Sequence, residues 1–331
     1  MHESMKPPGV VYIGGCGRNG STWLGLCLER SPDVCFAGEL THIWQRGFVD
    51  DELCGCQRPF SRCDFWHAVT QEAFGTFSRS DAGHLCELRG AISAFRRLPW
   101  VLAGRPHVSP RILNEYGAAY RQWIGAIARV AQARVIVDSS KYPTDLAALL
   151  RYGAAPIKIV HLVRNCNAVV HSWKRKKRRT EIHWKAQDMP RYNAVTTALG
   201  WKAFNCAIAR LARQYMSPCC LVRYEDLVDS FPGTLGELFA WIGVDQQPAV
   251  AVRPSHSMAG NPCRLNADPL RVERDEEWLV RPGAVDRLIV KLLCGREQRH
   301  YGYSGVAASP GELQSFVPLI RCPAQANDPA V

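Results

Sequence analysis

An apolar run, Val10-Val11-Tyr12-Ile13, breaks into the turn Gly14-Gly15-Cys16-Gly17-Arg18-Asn19-Gly20-Ser21-Thr22, and apolar side chains then recur at helical spacing at Trp23, Leu24, Cys27 and Leu28. A glycine-rich turn between a strand and a helix gathers backbone N–H groups at the positive end of the helix dipole, where an anion is stabilised. A nucleotide triphosphatase loop would place Lys and then Ser or Thr after its second glycine, for the β/γ-phosphates and Mg²⁺. Here Ser21-Thr22 follow Gly20 and the cation, Arg18, precedes it. Such a loop suits a phosphate- or sulfate-like anion held without a metal. A second anion site is suggested where Ile157-Lys158-Ile159-Val160-His161-Leu162-Val163 ends on Arg164, with Ser172 two helical turns further on. A guanidinium fork plus a hydroxyl matches a terminal phosphate. Glu39 follows an apolar run at 34–37, and Lys141 follows another that ends at Asp138. Alone, the first reads as a helix cap or a general base and the second as a loop cation or a charge stabiliser. A base working near neutral pH would need burial to raise the Glu39 pKa.

Taken in order, these segments resemble the sulfotransferases that use 3′-phosphoadenosine 5′-phosphosulfate (PAPS). Arg18-Asn19-Gly20-Ser21-Thr22 resembles their 5′-phosphosulfate loop, and the Arg164/Ser172 pair resembles their 3′-phosphate motif. The resemblance implies that Arg18, Asn19, Gly20, Ser21, Thr22 and Trp23 hold the 5′ end of the nucleotide, and that Arg164, Ser172 and Lys176 hold the 3′-phosphate. Val222-Arg223-Tyr224-Glu225-Asp226-Leu227 is similar to the family's YED segment, which implies that Tyr224 contacts adenine. His256-Ser257-Met258-Ala259-Gly260-Asn261-Pro262-Cys263-Arg264 looks like the HxxxGNPxR stretch of bacterial members, a loop that would close Ser257, Gly260 and Asn261 over the nucleotide. Phe36-Ala37-Gly38-Glu39-Leu40 resembles the Gly-Glu element of tyrosylprotein and many bacterial sulfotransferases, which implies Glu39 as base. Lys141-Tyr142-Pro143 resembles the KxP element whose Lys contacts the sulfuryl group, with Arg18 as a further charge stabiliser. The activity implied is metal-independent, in-line transfer to a hydroxyl or amine of a small-molecule, sugar or lipid acceptor. Asn19 stands where Ser is usual, and Asn165-Cys166 where Asp/Asn-Pro is usual.

The elements that must position these groups follow from hydrophobic patterning. Buried parallel strands are expected at 10–14, 34–37, 134–138, 157–163 and 219–223, and helices at 21–30, 114–131, 144–152, 165–178, 194–215 and 234–243. This alternation predicts an α/β fold, and the resemblance makes it a P-loop-NTPase-like three-layer fold: a central parallel sheet flanked by helices, plus a Cys-rich insertion. We expect one domain over 1–305, with 47–110 an insertion or lid on the acceptor side and 306–331 a flexible tail.

At 331 residues and 47% apolar composition the chain can bury a full core. A formal charge of +11 suits an anionic cofactor, an anionic acceptor or nucleic acid. No zinc-finger, RNP-type or basic-helix pattern supports nucleic acid, and the run Lys174-Arg175-Lys176-Lys177-Arg178-Arg179 reads first as a solvated helix face. Neither a membrane span nor a signal-peptide layout is present, so the expectation is cytoplasmic; homodimerisation is left open. Most of the 14 cysteines are expected to be reduced and buried. Cys54, Cys56 and Cys63 share one loop and could ligate zinc or form a local disulfide. With three ligands visible, a thiol-rich loop packed by Phe65 and Trp66 is the favoured reading, and no metal is expected in the site. Two other functions compete: a Mg²⁺-dependent nucleotide kinase-like phosphotransferase, disfavoured by the missing loop Lys, and a noncatalytic anion- or RNA-binding protein using the basic run.

Overall fold

Five strands form one parallel sheet in the order β2-β3-β1-β4-β5: β1 (Gly9–Gly14), β2 (Val34–Gly38), β3 (Val135–Lys141), β4 (Ile157–Val163) and β5 (Cys219–Arg223). The computed structural model describes residues 8–105, 108–153, 155–245, 254–266, 275–281 and 283–303. The expected tail, 306–331, lies outside them. All five strands fall where the apolar runs place them, because strands covered on both faces are near-continuous in apolar residues. Helices cover both faces: α1 (Ser21–Leu28), α2 (Asp64–Phe74), α3 (Arg79–Ile92), α4 (Leu98–Leu102), α5 (Pro110–Ala131), α6 (Pro143–Tyr152), α7 (Cys166–Lys174), α8 (Ala194–Gln214), α9 (Tyr224–Asp229), α10 (Phe231–Ile242), α11 (Glu277–Val280) and α12 (Ala284–His300). None of the described helices is long and apolar enough to cross a membrane.

Two features bear on the site. Among the described residues, 47–110, the expected insertion, add no strand to the sheet but form α2, α3 and α4; α2 carries Trp66 into the core, and α3 buries Ala82, Leu85, Leu88 and Ile92. Trp66 stacks on Trp123 of α5 at 5.7 Å with an interplanar angle of 4°, and Trp44, Phe48, Phe74 and Phe77 pack around them. Such aromatic burial is worth several kcal/mol per side chain and outweighs weak local helix signals. Second, α7 stops at Lys174 rather than at Arg178: Arg175 is extended at φ −68°, ψ 137°. All six residues at 174–179 are cations, and their mutual repulsion opposes continuation of a helix.

Pairing then sets what stands beside what. Gly14 is paired with Lys141 on one side and His161 on the other, and Gly38 with Asp138. Val163 is paired with Arg223, so Arg164 and Tyr224 leave adjacent strand tips. Ligands of open parallel sheets bind beyond these carboxyl ends.

Candidate active site

The first loop is held by its own side chains. Asn19, 1% exposed, donates from Nδ2 to the Leu162 carbonyl (2.8 Å), and its Oδ1 accepts from the Ser21 N–H (3.2 Å). These two bonds tie the loop to β4. Gly20 takes φ 94°, and a Cβ there would lie 2.4 Å from Cδ2 of Tyr224. Gly20→Ala is therefore expected to combine a left-handed backbone penalty with a ring clash, costing about 1–3 kcal/mol, read as a lower denaturant midpoint at unchanged m. Trp23 packs between Tyr224 (6.3 Å) and Phe231 (5.3 Å). Arg18, itself at φ 70°, lies over the Trp173 ring at 4.5 Å and reaches Met189 Sδ through Nη2 (2.9 Å). Burial lowers its pKa, against the attraction of Glu39.

Arg164 meets this loop directly. Its Nη1 donates to the Arg18 carbonyl (3.3 Å), Nη2 pairs with Asp275 (3.2 Å), and its Cζ lies 4.6 Å from the centre of the Tyr224 ring. The strand end is braced from behind: the Asn165 N–H donates to Glu225 Oε1, and the Tyr303 hydroxyl donates to Glu225 Oε2 at 2.7 Å. Nε of Arg18 and Nε of Arg164 are both buried with no hydrogen-bond partner. Two buried guanidinium donors without partners, in segments that touch, favour an anionic partner. Ser172 sits half-buried near the end of α7.

Glu39 and Lys141 form the third part. Lys141 Nζ donates to Glu39 Oε1 at 2.5 Å and to the Ser139 carbonyl at 2.7 Å; both side chains are 11% exposed. His42 Nε2 lies 3.7 Å from Glu39 Oε2. A base working near neutral pH would need a raised pKa, and Glu39 does not have one here. Burial does push it up, but Lys141, His42 and Arg46 more than offset this and hold it at about 2. Glu39 is thus an ionised carboxylate throughout the physiological range. His42 is pushed well below its ordinary pKa, first by burial and then by Arg46, and is neutral. Beside them is a cavity of about 200 Å³, lined by His42, Trp44, Arg46, Glu52, Arg89 and Arg179. Asp138, which might be taken for a metal-binding carboxylate, accepts from the Leu40 N–H, from Ser140 and from the Tyr120 hydroxyl. Burial raises its pKa to about 6, and these bonds oppose the rise. Its role is to lock the tips of β2 and β3.

The late loop, residues 254–266, meets the first loop and the Glu39 segment. The Met258 N–H donates to Ala37 O (3.0 Å), and the Glu39 N–H to Met258 O (2.8 Å). A Cβ on Gly260 would lie 3.0 Å from Thr22 Oγ1 and 3.4 Å from Glu39 Oε1. The Asn261 N–H donates to Thr22 Oγ1, and Asn261 Oδ1 accepts from Lys177 Nζ at 2.7 Å. Two expected contacts are not brought here. Ser257 is fully buried among Ser255, Gly55 and Arg264, away from the cleft. Lys176 is 74% exposed and pairs with Asp188, because α7 ends before it and the extended chain turns it outward. Lys177 takes the inward place. The alternation of an extended segment would have identified it, had the helix end been placed correctly.

The sulfotransferase family profile matches residues 8–248. Among solved structures, the chain is similar to the sulfotransferase domain from the curacin biosynthetic pathway, with 16% identity, TM-score 0.50, and coverage of 90% of this chain and 99% of that one. It is also similar to the sulfotransferase domain from the Synechococcus PCC 7002 olefin synthase, with 20% identity, TM-score 0.47, and coverage of 90% and 97%. No curated protein matches.

Proposed function

Because the chain belongs to the sulfotransferase family, we propose that it transfers the sulfuryl group of PAPS to a hydroxyl or amine of an acceptor, without a metal in the chemical step. The contact between the Arg164 guanidinium and the Arg18 carbonyl carries this reading, since it brings the two cationic strand-end segments together beside one carboxylate–ammonium pair. PAPS supplies a sulfuryl group on a phosphate leaving group. Arg18 and the amides around Ser21 and Thr22 would hold its 5′ end, and Arg164 and Ser172 its 3′-phosphate. Tyr224 and Trp23 offer ring faces for the adenine.

Glu39 takes the proton of the acceptor as the acceptor atom bonds to sulfur and the bond from sulfur to the phosphate oxygen breaks. As Lys141 turns to the departing phosphate, whose new charge Arg18 also stabilises, it releases Glu39, and burial then raises the carboxyl pKa from about 2 toward that of a working base. The cavity lined by His42, Arg46 and Arg89 is the acceptor side, which agrees with a role for the insertion, since Arg89 lies on α3. Screening hydroxyl and amine acceptors with labelled PAPS tests the reading. Transfer that disappears in Glu39→Gln supports it, and transfer that survives removes Glu39 as base. Lys177→Ala is expected to weaken 3′,5′-ADP binding about tenfold, because a half-buried cation is lost, whereas Lys176→Ala stays within about twofold. Calorimetric titration of both variants checks the contrast.

A further inference from the structure

Cys54, Cys56, Cys63 and His256 converge on one point, with their ligand atoms all within 4.8 Å of one another. Cys63 Sγ lies 3.7 Å from Cys54 Sγ, 3.7 Å from Cys56 Sγ and 3.3 Å from His256 Nδ1, and Cys54 Sγ lies 3.8 Å from the same nitrogen. A zinc ion bonded at ordinary Zn–S and Zn–N lengths has tetrahedral edges of about 3.8 Å between sulfurs and about 3.6 Å between sulfur and nitrogen. The four measured separations match those edges and are far from the S–S bond of a disulfide. We infer that these four residues form a structural zinc site that staples the insertion to the late loop.

The surroundings are built for ligation. The Cys54 N–H donates to Arg58 O, the Gln57 N–H donates to Cys54 O with Gln57 at φ 66°, and Leu53 pairs with Pro59, so the Cys54–Cys56 turn is closed on itself. Phe65 stacks on the His256 ring at 4.6 Å and 12°, and Trp66 Nε1 donates to the His256 carbonyl at 2.9 Å. The stack holds the plane of the imidazole and the hydrogen bond holds its backbone. Three thiols and one imidazole are a soft, closed donor set, which favours zinc in a structural rather than a catalytic role. Binding releases the thiol protons and involves no oxidation. Three of the ligands lie in one loop, but the fourth is 193 residues away from Cys63. Two residues after His256, Met258 bonds to Ala37 and Glu39, so the metal would anchor the segment that fixes the carboxylate.

The test uses the full chain, purified without a histidine tag and exchanged into metal-free buffer, and measures zinc by mass spectrometry. Near-equimolar zinc is expected, along with thiolate-to-cobalt absorption when Co²⁺ replaces it. His256→Ala and Cys56→Ser should lose the metal, while Cys206→Ser, which changes an exposed thiol elsewhere, should keep it. Metal removal should also lower hydrogen-exchange protection of the Met258 and Glu39 amides at least about tenfold. A wild-type chain that binds neither zinc nor cobalt, or a disulfide among the three cysteines, overturns the assignment. These readouts need no acceptor and do not depend on the transfer reaction.

Discussion

Glu39→Gln is expected to lower kcat by about 10²–10⁴-fold with little change in fold, the span that a positioned general base contributes. Gln keeps an oxygen that can accept from Lys141, so the buried ammonium is not left alone, and the loss reports proton transfer rather than collapse of the pocket. Stopped assays with saturating PAPS separate the two. The pH profile sharpens the expectation. kcat/KM reports the ionisations of the free enzyme, and Glu39 sits at about 2 there. No acid limb from this carboxylate should therefore appear between pH 5 and pH 8.

Lys141→Ala is expected to lower kcat by about 10²–10³-fold, the effect of removing one preorganised donor from a developing oxyanion. It should also move Glu39. With the ammonium gone, burial is the largest influence left, and the carboxyl pKa should rise, bringing an acid limb into the kcat/KM profile. Stability carries the same signature with a fixed sign. A depressed carboxyl pKa contributes stability that is present above the unfolded value, near 4.3, and is lost as pH falls toward about 2. The wild type should lose this contribution on acidification through that window, and the variant should not. An unchanged profile in Lys141→Ala would separate the two residues functionally despite their contact.

The sheet was legible because its strands are covered on both faces and so are written as unbroken apolar runs. β4 and β5 have the expected bounds, and β3 continues past 138 to Lys141. Local chemistry was legible too: the Gly20 turn, the strand-end Arg164 and the Gly38-Glu39 step each sit where a strand hands over to a loop. What failed depended on partners far away in the chain. The direction of the Glu39 pKa is not legible in its own segment, because Lys141, 102 residues on, acts with His42 and Arg46 to outweigh burial. The resemblance implies Lys176 at the 3′-phosphate, but α7 ends at Lys174 and Lys176 is turned outward to Asp188. α2 is not legible in local periodicity, since it is held by Trp66 and Phe74 meeting Trp123 of α5, far away in the chain. His256 was missed as a partner of the Cys54 loop for the same reason.

The central claim is that one bisphosphate nucleotide bridges Arg18 and Arg164. Calorimetric titration of 3′,5′-ADP into the protein in Mg²⁺-free buffer tests it most directly, with 5′-ADP as comparison and Arg164→Ala as control. The expected result is micromolar or tighter binding of 3′,5′-ADP that Mg²⁺ leaves unchanged, a loss of at least about tenfold for 5′-ADP, and erasure of that difference in Arg164→Ala. Equal affinity for the two nucleotides, or binding of either that appears only with Mg²⁺, would contradict it.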